Sequence, residues 1–496
     1  MSKQTTSLPL ALDPAPAGVP RHRWLYEVLR AAILDGRLAP LARLPATRDL
    51  AAQLAVSRGT VLAAFDWLRA EGYVESRVGD GTYVRRVAQA GATTVGAAAD
   101  ASAPPRLSAY ARRVEPFVGL FSGSARAFRV AQPALDAFPS TLWSRMASRR
   151  LRRGTGNFLG NGEVAGYGPL RHALAEYLRT MRGVRCTADQ VIVTSGAQEG
   201  IELTVRALVD PGDAVWMEDP GYPATLRTLR AAGARVLPAP VDARGLDVER
   251  AARELGPARL ACVTPANQFP LGMAMDAARR MELLAWARTC GAAILEDDYD
   301  SEFRYAGQPI PALQGLDTDG RVVFVGTLNK VLFPSLRLGY LVVPDALVDA
   351  FVAIKSLTTR FGPGLAQAVT CDFMDAGHFG RHVRRMRDLY AARLGALRDG
   401  VARDLDGLVT LRNADAGMHT IGWLPADVDE GAAASAAAAW GLEVVGIRRF
   451  WQHHPLPPGL NLGFSAVDEA EIARGTENLA RALATVRDTA RPSPTP

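Results

Sequence analysis

Lysine is scarce in this sequence. Of 57 basic residues only three are lysines, Lys3, Lys330 and Lys355, so any chemistry that needs a primary amine has few candidates. No run of about 18 uninterrupted apolar residues occurs, and the N-terminus has no long apolar segment behind a basic start. We therefore expect no membrane span and no secretion signal, and we expect the chain to be cytoplasmic.

Cysteine is equally scarce. The four cysteines lie far apart, without a C-x-x-C pair and without a histidine at the spacing of a metal ligand. This distribution excludes a disulfide framework and a zinc site, and it predicts buried or incidental thiols. They are Cys186, Cys262, Cys290 and Cys371.

The composition is that of a soluble globular protein with more than one core. The chain has 496 residues, of which 48% are hydrophobic and 22% charged, and its net charge is +6. Residues 1–90 contain one lysine and eleven arginines against eight acids, a net charge of +4 in under a fifth of the length. A basic N-terminal part favours a nucleic-acid partner there.

Composition divides the chain into five segments. Residues 1–20 are rich in Pro and Ala and are predicted to be disordered, whereas residues 21–86 are densely patterned. Residues 87–114 are predicted to be a flexible linker because residues 87–105 contain almost no large apolar side chain. Residues 115–488 are predicted to form the main domain, and residues 489–496 are predicted to be a disordered tail.

Short apolar runs alternate with helix-length segments in the main domain. This alternation predicts an α/β domain with a mainly parallel sheet. The runs are QVIVTS, AVWMED, LACVTP, AAILEDD, RVVFVGT and RLGYLVV.

The N-terminal segment has the pattern of two short-linked helices followed by a hairpin. A first helix covers residues 23–34, Thr47 is a plausible N-cap of a short helix, and Ser57 is a plausible N-cap of a longer one. The alternating YVESRVGDGTYVRR then predicts a two-stranded wing. In a DNA-binding domain of this kind, exposed side chains at the helix starts and on the wing would contact DNA. A small helical protein-interaction module with solvated arginines would have the same periodicity. The candidate contacts are Arg48, Ser57, Arg58, Thr60 and Arg77.

The order of the sequence motifs in this segment resembles that of the winged helix-turn-helix of the GntR family. The phrases LY-x-x-LR-x-AI-x-x-GRL-x-P, RLPATRDLAAQLAVSRGTV and LRAEGYVESRVGDGTYV carry the resemblance over nearly all of residues 23–85. The resemblance implies binding to a double-stranded DNA operator. It also implies that Arg48, Arg58, Thr60 and Arg77 contact the DNA.

The main domain contains the groups that pyridoxal 5′-phosphate (PLP) requires: an amine, a carboxylate and a phosphate cradle. Lys330 follows the strand RVVFVGT, at a strand end where open α/β sheets present their sites, and its neighbours are apolar. Lys3 lies in the segment predicted to be disordered, and Lys355 lies in a helix-like segment. Lys330 is therefore the best-placed amine.

The carboxylate candidate lies in AAILEDDYDSEFRY. Alternation along a strand places Asp297 and Tyr299 on one face, so Asp298 and Asp300 are expected to face away. Asp297 would keep the pyridine nitrogen protonated and Tyr299 could bond to the ring oxygen. A divalent-metal site is the alternative, although no second carboxylate cluster completes its shell.

The phosphate candidate is the strand–turn–helix segment VIVTSGAQEGIELTVRAL. Backbone amides at the start of that helix form an anion site by geometry, and a nearby arginine and hydroxyl could complete it. A tyrosine in EDPGYP offers a flat ring to stack on PLP, although it could equally be a packing residue. The residues concerned are Gly196, Ala197, Gln198, Thr327, Arg337 and Tyr222.

The phrases TSGAQ, EDPGYP, TPANQFPLG, EDDYDSEFRY and GTLNKVLFPSLRLGY resemble the MocR/GabR-type branch of the GntR regulators. That branch joins a winged helix-turn-helix, mostly α with a β wing, to an aminotransferase-like domain of PLP-dependent fold type I. The latter has a mainly parallel sheet and a smaller C-terminal α+β subdomain. The resemblance implies head-to-tail homodimers and the PLP roles given above, with Lys330 forming the Schiff base.

The sequence departs from the family pattern at three asparagines. Asn329 replaces a usual serine before the lysine, Asn161 replaces a tyrosine that contacts the phosphate across subunits, and Asn267 replaces a frequent histidine. Asn267 could contact the PLP ring or the effector. Aminotransferases also hold a substrate carboxylate with a C-terminal arginine, and near the expected place this chain offers Arg448 and Arg449.

These observations predict a transcriptional regulator whose PLP-binding domain senses an amino compound, or PLP itself, and controls operator binding. The alternative from another class is an active aminotransferase with an N-terminal regulatory domain. A third hypothesis, a DNA-binding protein with a cofactor-free domain, is disfavoured because the lysine, aspartate and tyrosine are all present.

Overall fold

The computed structural model describes residues 16, 18–77, 80–86, 105–116, 123–153, 160–307, 310–412 and 415–490. The chain divides into two compact units, Met1–Arg106 and Leu107–Pro496. Each unit has its own hydrophobic core and is described by itself.

The smaller unit is a three-helix bundle with a three-stranded sheet. Leu25, Leu29, Val61, Phe65 and Leu68 are buried in its core, and they come from the first and third helices at helical spacing. The strand order is β1–β3–β2, antiparallel throughout, and Val74 pairs with Val84 in the wing. The elements are α1 (Arg21–Leu34), β1 (Arg43–Leu44), α2 (Thr47–Gln53), α3 (Arg58–Ala70), β2 (Val74–Arg77) and β3 (Gly81–Val84). The predicted winged helix-turn-helix is confirmed.

The two predicted helix caps have different outcomes. The Ser57 side chain accepts a hydrogen bond from the Thr60 amide at the start of α3, as expected of an N-cap. Thr47 is not a cap. The extended residue that precedes α2 is Ala46, so Thr47 is already the first helical residue.

The larger unit contains twelve helices and twelve strands among the residues that the structure describes. The helices are α4 (Ala109–Arg113), α5 (Ser140–Arg153), α6 (Gly168–Arg182), α7 (Ala197–Leu208), α8 (Pro223–Ala232), α9 (Val248–Leu255), α10 (Ala277–Cys290), α11 (Val348–Ser356), α12 (Gly364–Asp375), α13 (His378–Asp404), α14 (Glu430–Ala439) and α15 (Glu469–Ala490). The strands are β4 (Val191–Thr194), β5 (Ala214–Asp219), β6 (Arg235–Asp242), β7 (Gly245–Leu246), β8 (Leu260–Val263), β9 (Ala293–Asp298), β10 (Val322–Thr327), β11 (Gly339–Val342), β12 (Thr410–Arg412), β13 (His419–Trp423), β14 (Val445–Gly446) and β15 (Gly459–Gly463).

An eight-stranded sheet forms the centre of the larger unit. Its order is β4–β11–β10–β9–β8–β5–β6–β7, and the pairs from β10 to β6 are all parallel. β11 runs antiparallel to both its neighbours, and the short β7 closes the other edge as an antiparallel hairpin. All six strands predicted from apolar runs are present, so the mainly parallel α/β sheet is confirmed.

A second, smaller sheet forms the C-terminal subdomain. Its antiparallel order is β12–β13–β15–β14. Leu460 and Leu462 on β15 are buried in one hydrophobic cluster with Leu397 of α13 and with Leu479 and Leu483 of α15. Because alternate residues of a strand face opposite sides, the other face of β15 is free to meet the large domain. The predicted C-terminal α+β subdomain is confirmed.

Three predicted segments lie wholly or mainly outside the described residues. These are most of 1–20, the first part of the 87–114 linker and most of the 489–496 tail, although α15 extends to Ala490. Within 87–114, Ser108 caps the short helix α4, and Arg113 donates to the Ala231 carbonyl oxygen of α8. Ser108 and Arg113 both belong to the larger unit, which begins at Leu107. No helix of the described residues is long and apolar enough to cross a membrane.

Candidate functional site

The candidate cofactor site lies at the carboxyl ends of the central parallel strands. β9 and β10 are paired with Asp297 opposite Val325, and Lys330 follows the end of β10 by three residues. Parallel strands bring their carboxyl ends to one edge of the sheet, which is where open α/β sheets bind ligands. The lysine and the aspartate predicted from sequence are therefore brought together.

The Lys330 amine sits in a partly buried position between buried apolar neighbours, including Leu328 and Val331. Its Nζ donates a hydrogen bond to the Ala131 carbonyl oxygen at 2.6 Å. Burial lowers the pKa of Lys330 to about 8, and the carboxyl groups of Asp300 and Asp297 oppose that change. An amine with this pKa is available as a nucleophile near neutral pH.

The Asp297 carboxyl group has an unpartnered oxygen. Oδ1 is buried and has no hydrogen-bond partner among the described residues. Burial raises the pKa of Asp297 to about 7, the neighbouring Asp298 and Glu218 raise it further, and Lys330 lowers it. A buried carboxyl oxygen of this kind fits a protonated ring nitrogen, which would supply the missing donor.

Asn267 connects Tyr299 to Asp300. Its Nδ2 donates to the Tyr299 hydroxyl at 3.2 Å and to Asp300 Oδ1 at 2.9 Å. Asp298 faces away, as expected, and binds Arg182 in a buried ion pair at 2.8 Å. Asp300 was expected to face away too, and that expectation is wrong. β9 ends at Asp298, so strict alternation stops there and Asp300 turns back towards the site.

The turn between β4 and α7 forms the other end of the site. Gly196 has φ +111°, and a Cβ there would lie 2.9 Å from Asn329 Nδ2 and 3.7 Å from Arg337 Nη1. Asn329 Oδ1 accepts from the Leu338 amide, and the Asn329 amide donates to Thr327 Oγ1. The departure at Asn329 therefore fixes the loop that carries Arg337. Glycine, arginine and hydroxyl surround the start of a helix, a geometry suited to a phosphate.

Three further predicted residues belong to this part of the larger unit. Ala197 is the first residue of α7, and Gln198 Nε2 donates to Thr228 Oγ1 at 2.8 Å. The Tyr222 side chain is half-buried, and its pKa is raised to about 12 by burial and by Asp297, with Arg337 opposing. Tyr222 thus lies within electrostatic range of both ends of the site.

Phe269 is a site residue that no motif of the sequence indicates. Its ring packs edge-on against Tyr222 at 5.5 Å, Tyr299 at 6.0 Å and His419 at 5.7 Å. The His419 ring is also stacked on Tyr299 at 6.4 Å. A fourth ring, that of Phe450, packs edge-on against Phe269 at 5.2 Å. Phe269 lies within TPANQFPLG, but nothing in that motif indicates that four aromatic rings would meet there.

The two candidate effector arginines lie on the exposed side of the C-terminal subdomain. Arg448 lies over the Trp451 ring and Arg449 over the Phe450 ring, each at 5.9 Å. Asn161, the third departure, is exposed. Among the described residues no group of three or more His, Cys, Asp or Glu side chains could hold a metal ion.

The residues of the larger unit fit PLP. They supply an amine of lowered pKa, an unpartnered carboxyl oxygen, a tyrosine ring and a helix start beside an arginine. When bound, PLP supplies an electrophilic carbonyl for amines and an electron sink.

The candidate DNA-binding residues lie at the starts of α2 and α3 and on the wing. Arg48 and Arg58 are exposed, and Thr60 Oγ1 is 2.9 Å from Ser57 Oγ. Arg77 is paired with Glu75 at 3.0 Å and lies over the Tyr83 ring at 4.4 Å. Ser57 is therefore the cap of α3, and the Arg77 guanidinium is paired within the wing.

Family comparisons match both units. Residues 22–84 match the family described as bacterial regulatory proteins, gntR family, and residues 136–478 match aminotransferase class I and II. The LysN α-aminoadipate aminotransferase of Thermus thermophilus, complexed with N-(5′-phosphopyridoxyl)-L-leucine, has a TM-score of 0.68 and 26% identity. The match covers 73% of this chain and 92% of the aminotransferase chain. The PLP-dependent fold is therefore shown.

Full-length relatives combine the same two parts. The probable rhizopine catabolism regulatory protein MocR of Rhizobium meliloti is 40% identical over 467 residues, 94% of each chain. The pyridoxine biosynthesis transcriptional regulator PdxR of Corynebacterium glutamicum is 31% identical over 470 residues, 93% of this chain and 95% of its own. The chain therefore belongs to the MocR-type GntR transcriptional regulators, which join a DNA-binding helix-turn-helix domain to a PLP-binding, aminotransferase-like domain.

Proposed function

We propose that PLP, held by Lys330, is the sensor of this regulator, and that an amino compound or the level of PLP itself is its signal. The signal changes the affinity of the smaller unit for a double-stranded DNA operator. The observation that carries the proposal is the pairing of one lowered-pKa amine with one unpartnered carboxyl oxygen at the same sheet edge. The regulator works in the cytoplasm as a head-to-tail homodimer.

Each side chain of the site has one proposed role. Lys330 bonds covalently to PLP, Asp297 pairs with the ring nitrogen, and Tyr299, oriented by Asn267, bonds to the ring oxygen. Tyr222 stacks on the ring. The phosphate is held by Gly196, Ala197, Gln198, Thr327 and Arg337.

The proposed DNA-binding surface consists of side chains at the starts of α2 and α3 and on the wing. Arg48, Arg58 and Arg77 are cations on exposed parts of the smaller unit, and they would contact phosphates or base edges. Thr60 lies beside them on the first turn of α3. Ser57 holds that turn by capping it, so its contribution to DNA binding is positional.

Lys330 supplies a local trigger. In its free-amine form it donates to the Ala131 carbonyl oxygen, two residues from Arg129. Arg129 in turn forms a buried ion pair at 2.6 Å with Glu443 of the C-terminal subdomain. An amine that replaces Lys330 on PLP therefore changes a contact linked to the C-terminal subdomain. A coupling of ~1–3 kcal/mol would change operator affinity ~5- to 150-fold.

The test is an absorbance spectrum of the full-length protein with PLP. We expect a visible band that requires Lys330, that disappears in Lys330→Ala and that is unchanged in the matched lysine variant Lys3→Ala. Candidate amines are then titrated, and operator binding is measured at each point.

A band that shifts with one amine, together with a change in operator affinity, supports the proposal. A wild-type spectrum identical to that of Lys330→Ala would refute it. Sustained conversion of an amino acid with a 2-oxo acid, without any change in operator binding, would instead favour the aminotransferase.

A further inference from the structure

Asn461 occupies the centre of β15, on the face opposite the hydrophobic core. Leu460 and Leu462 on either side of it are buried in the core cluster, so alternation turns Asn461 the other way. On its own face Asn461 is paired with Ile421 of β13 and Val445 of β14. These two belong to a separate apolar cluster, against which Phe269 and Val130 pack.

This face of the small sheet is directed towards the PLP site. Phe269 packs against Tyr222 and Tyr299, and His419, two residues before Ile421 on β13, is stacked on Tyr299. Gly463, two residues after Asn461 on the same face, is so close to the backbone of 129–130 that a Cβ would lie 2.0 Å from the Arg129 carbonyl oxygen. The next residue, Ala131, accepts the Lys330 hydrogen bond.

The Asn461 amide has no visible structural partner. The residue is 0% exposed, and neither Oδ1 nor Nδ2 has a hydrogen-bond partner among the described residues. An amide buried without partners is unfavourable, because its groups have lost water and gained nothing. Its cross-strand neighbours are apolar, so an apolar side chain would suit the local packing better.

The face that carries Asn461 offers no buried cation. Arg412 of β12 pairs with Ile421 on this face, but it is exposed at the edge of the sheet. β13, β14 and β15 contain no lysine or arginine, and Arg448 and Arg449 lie on exposed positions of the following loop. His419 is neutral at physiological pH because burial lowers its pKa to about 4. An amide both donates and accepts, whereas a carboxylate that is buried without a cation is strongly disfavoured.

We propose that Asn461 is an effector-binding residue that hydrogen-bonds an uncharged polar group, such as a hydroxyl, on an amine that reacts with PLP. The effector class is therefore a hydroxylated amine and not an α-amino acid. The inference rests on the proposed function, since it assumes that the amine enters at Lys330 and PLP.

The experiment uses the full-length, PLP-loaded protein and three primary amines of one carbon skeleton. L-alaninol carries a hydroxyl, L-alanine carries a carboxylate, and isopropylamine carries neither. The midpoint of the visible band shift is measured for each amine in wild type, Asn461→Leu and Asn461→Ser, with Ile421→Val as an apolar control on the same face.

In wild type we expect L-alaninol to bind more tightly than both other amines. Asn461→Leu should weaken L-alaninol by ~10-fold, the effect of one lost hydrogen bond, and should leave isopropylamine unchanged. The L-alaninol midpoint of Asn461→Ser should fall between those of wild type and Asn461→Leu. Ile421→Val should have the same midpoint as wild type. The Leu variant should unfold at the same temperature as wild type or higher, since it removes an unpartnered amide.

Tighter binding of L-alanine than of L-alaninol would overturn the inference, and so would an unchanged L-alaninol midpoint in Asn461→Leu. A Lys330-dependent band that none of the three amines shifts would also overturn the inference about Asn461, while still supporting PLP binding at Lys330. Absence of that band from wild type would instead be a failure of the proposed function.

Discussion

Replacing Asp297 by asparagine should stabilise the cofactor-free protein and weaken PLP binding at the same time. Asp297 carries a buried, unpartnered Oδ1, and its pKa is raised from 3.8 to about 7, mainly by burial. A carboxyl whose pKa is raised in the folded state contributes stability below its unfolded pKa and loses it as the pH rises through 7. At pH 8 the folded protein therefore contains an unfavourable ionised carboxylate.

The two effects have different magnitudes. A shift of about three pKa units limits the gain in the free energy of unfolding at pH 8 to at most ~4 kcal/mol for Asp297→Asn, and the gain should disappear below pH 4. PLP binding should weaken by ~1.5–3 kcal/mol, or ~10- to 150-fold, because a hydrogen bond to a charged group is replaced by a neutral one.

The assay is a titration of cofactor-free protein with PLP at pH 8, followed by visible absorbance, with calorimetric unfolding in parallel. Asp319→Asn is the matched control, since it removes the same charge at an exposed position before β10. Unchanged PLP affinity in Asp297→Asn would refute the pairing with the ring nitrogen. A cofactor-free variant less stable than wild type at pH 8 would refute the assigned origin of the raised pKa.

Three other perturbations test the remaining assignments. Ser57→Ala removes the cap of α3 and should lower the free energy of unfolding of the smaller unit by ~1 kcal/mol, measured by thermal denaturation. Arg58→Ala should weaken operator binding and, if the contact is to phosphate, reduce the salt slope by about 1, whereas Arg37→Ala, which loses only a contact with Asp35, should not. The rate of PLP loading should rise with pH and level off above pH 8, because Lys330 reacts as the neutral amine and its pKa is about 8; a flat stopped-flow profile between pH 6 and 9 would contradict this.

Local patterns explain why most elements could be predicted. Each of the six apolar runs became a strand of the central sheet, and Ser57 caps α3 because a cap needs only the amides of the next turn. The prediction that Thr47 caps α2 is wrong by one residue, because Ala46 takes the extended conformation before α2. The prediction that Asp300 faces away from the site is wrong because side chains alternate only while the strand continues, and β9 ends at Asp298.

The sequence by itself determined the two units, the positions of six strands along the chain, and the lysine, aspartate and tyrosine near strand ends. These follow from short-range periodicity and from the rule that parallel strands end at one edge. Only the tertiary structure decided that Ala131 contacts Lys330, that Phe269 contacts four aromatic rings, and that Asn461 faces the cofactor site. The Ala131–Lys330 and Phe269–His419 contacts each join residues more than a hundred positions apart. The position of Asn461 depends on the register of β13 and β15, which no local pattern specifies.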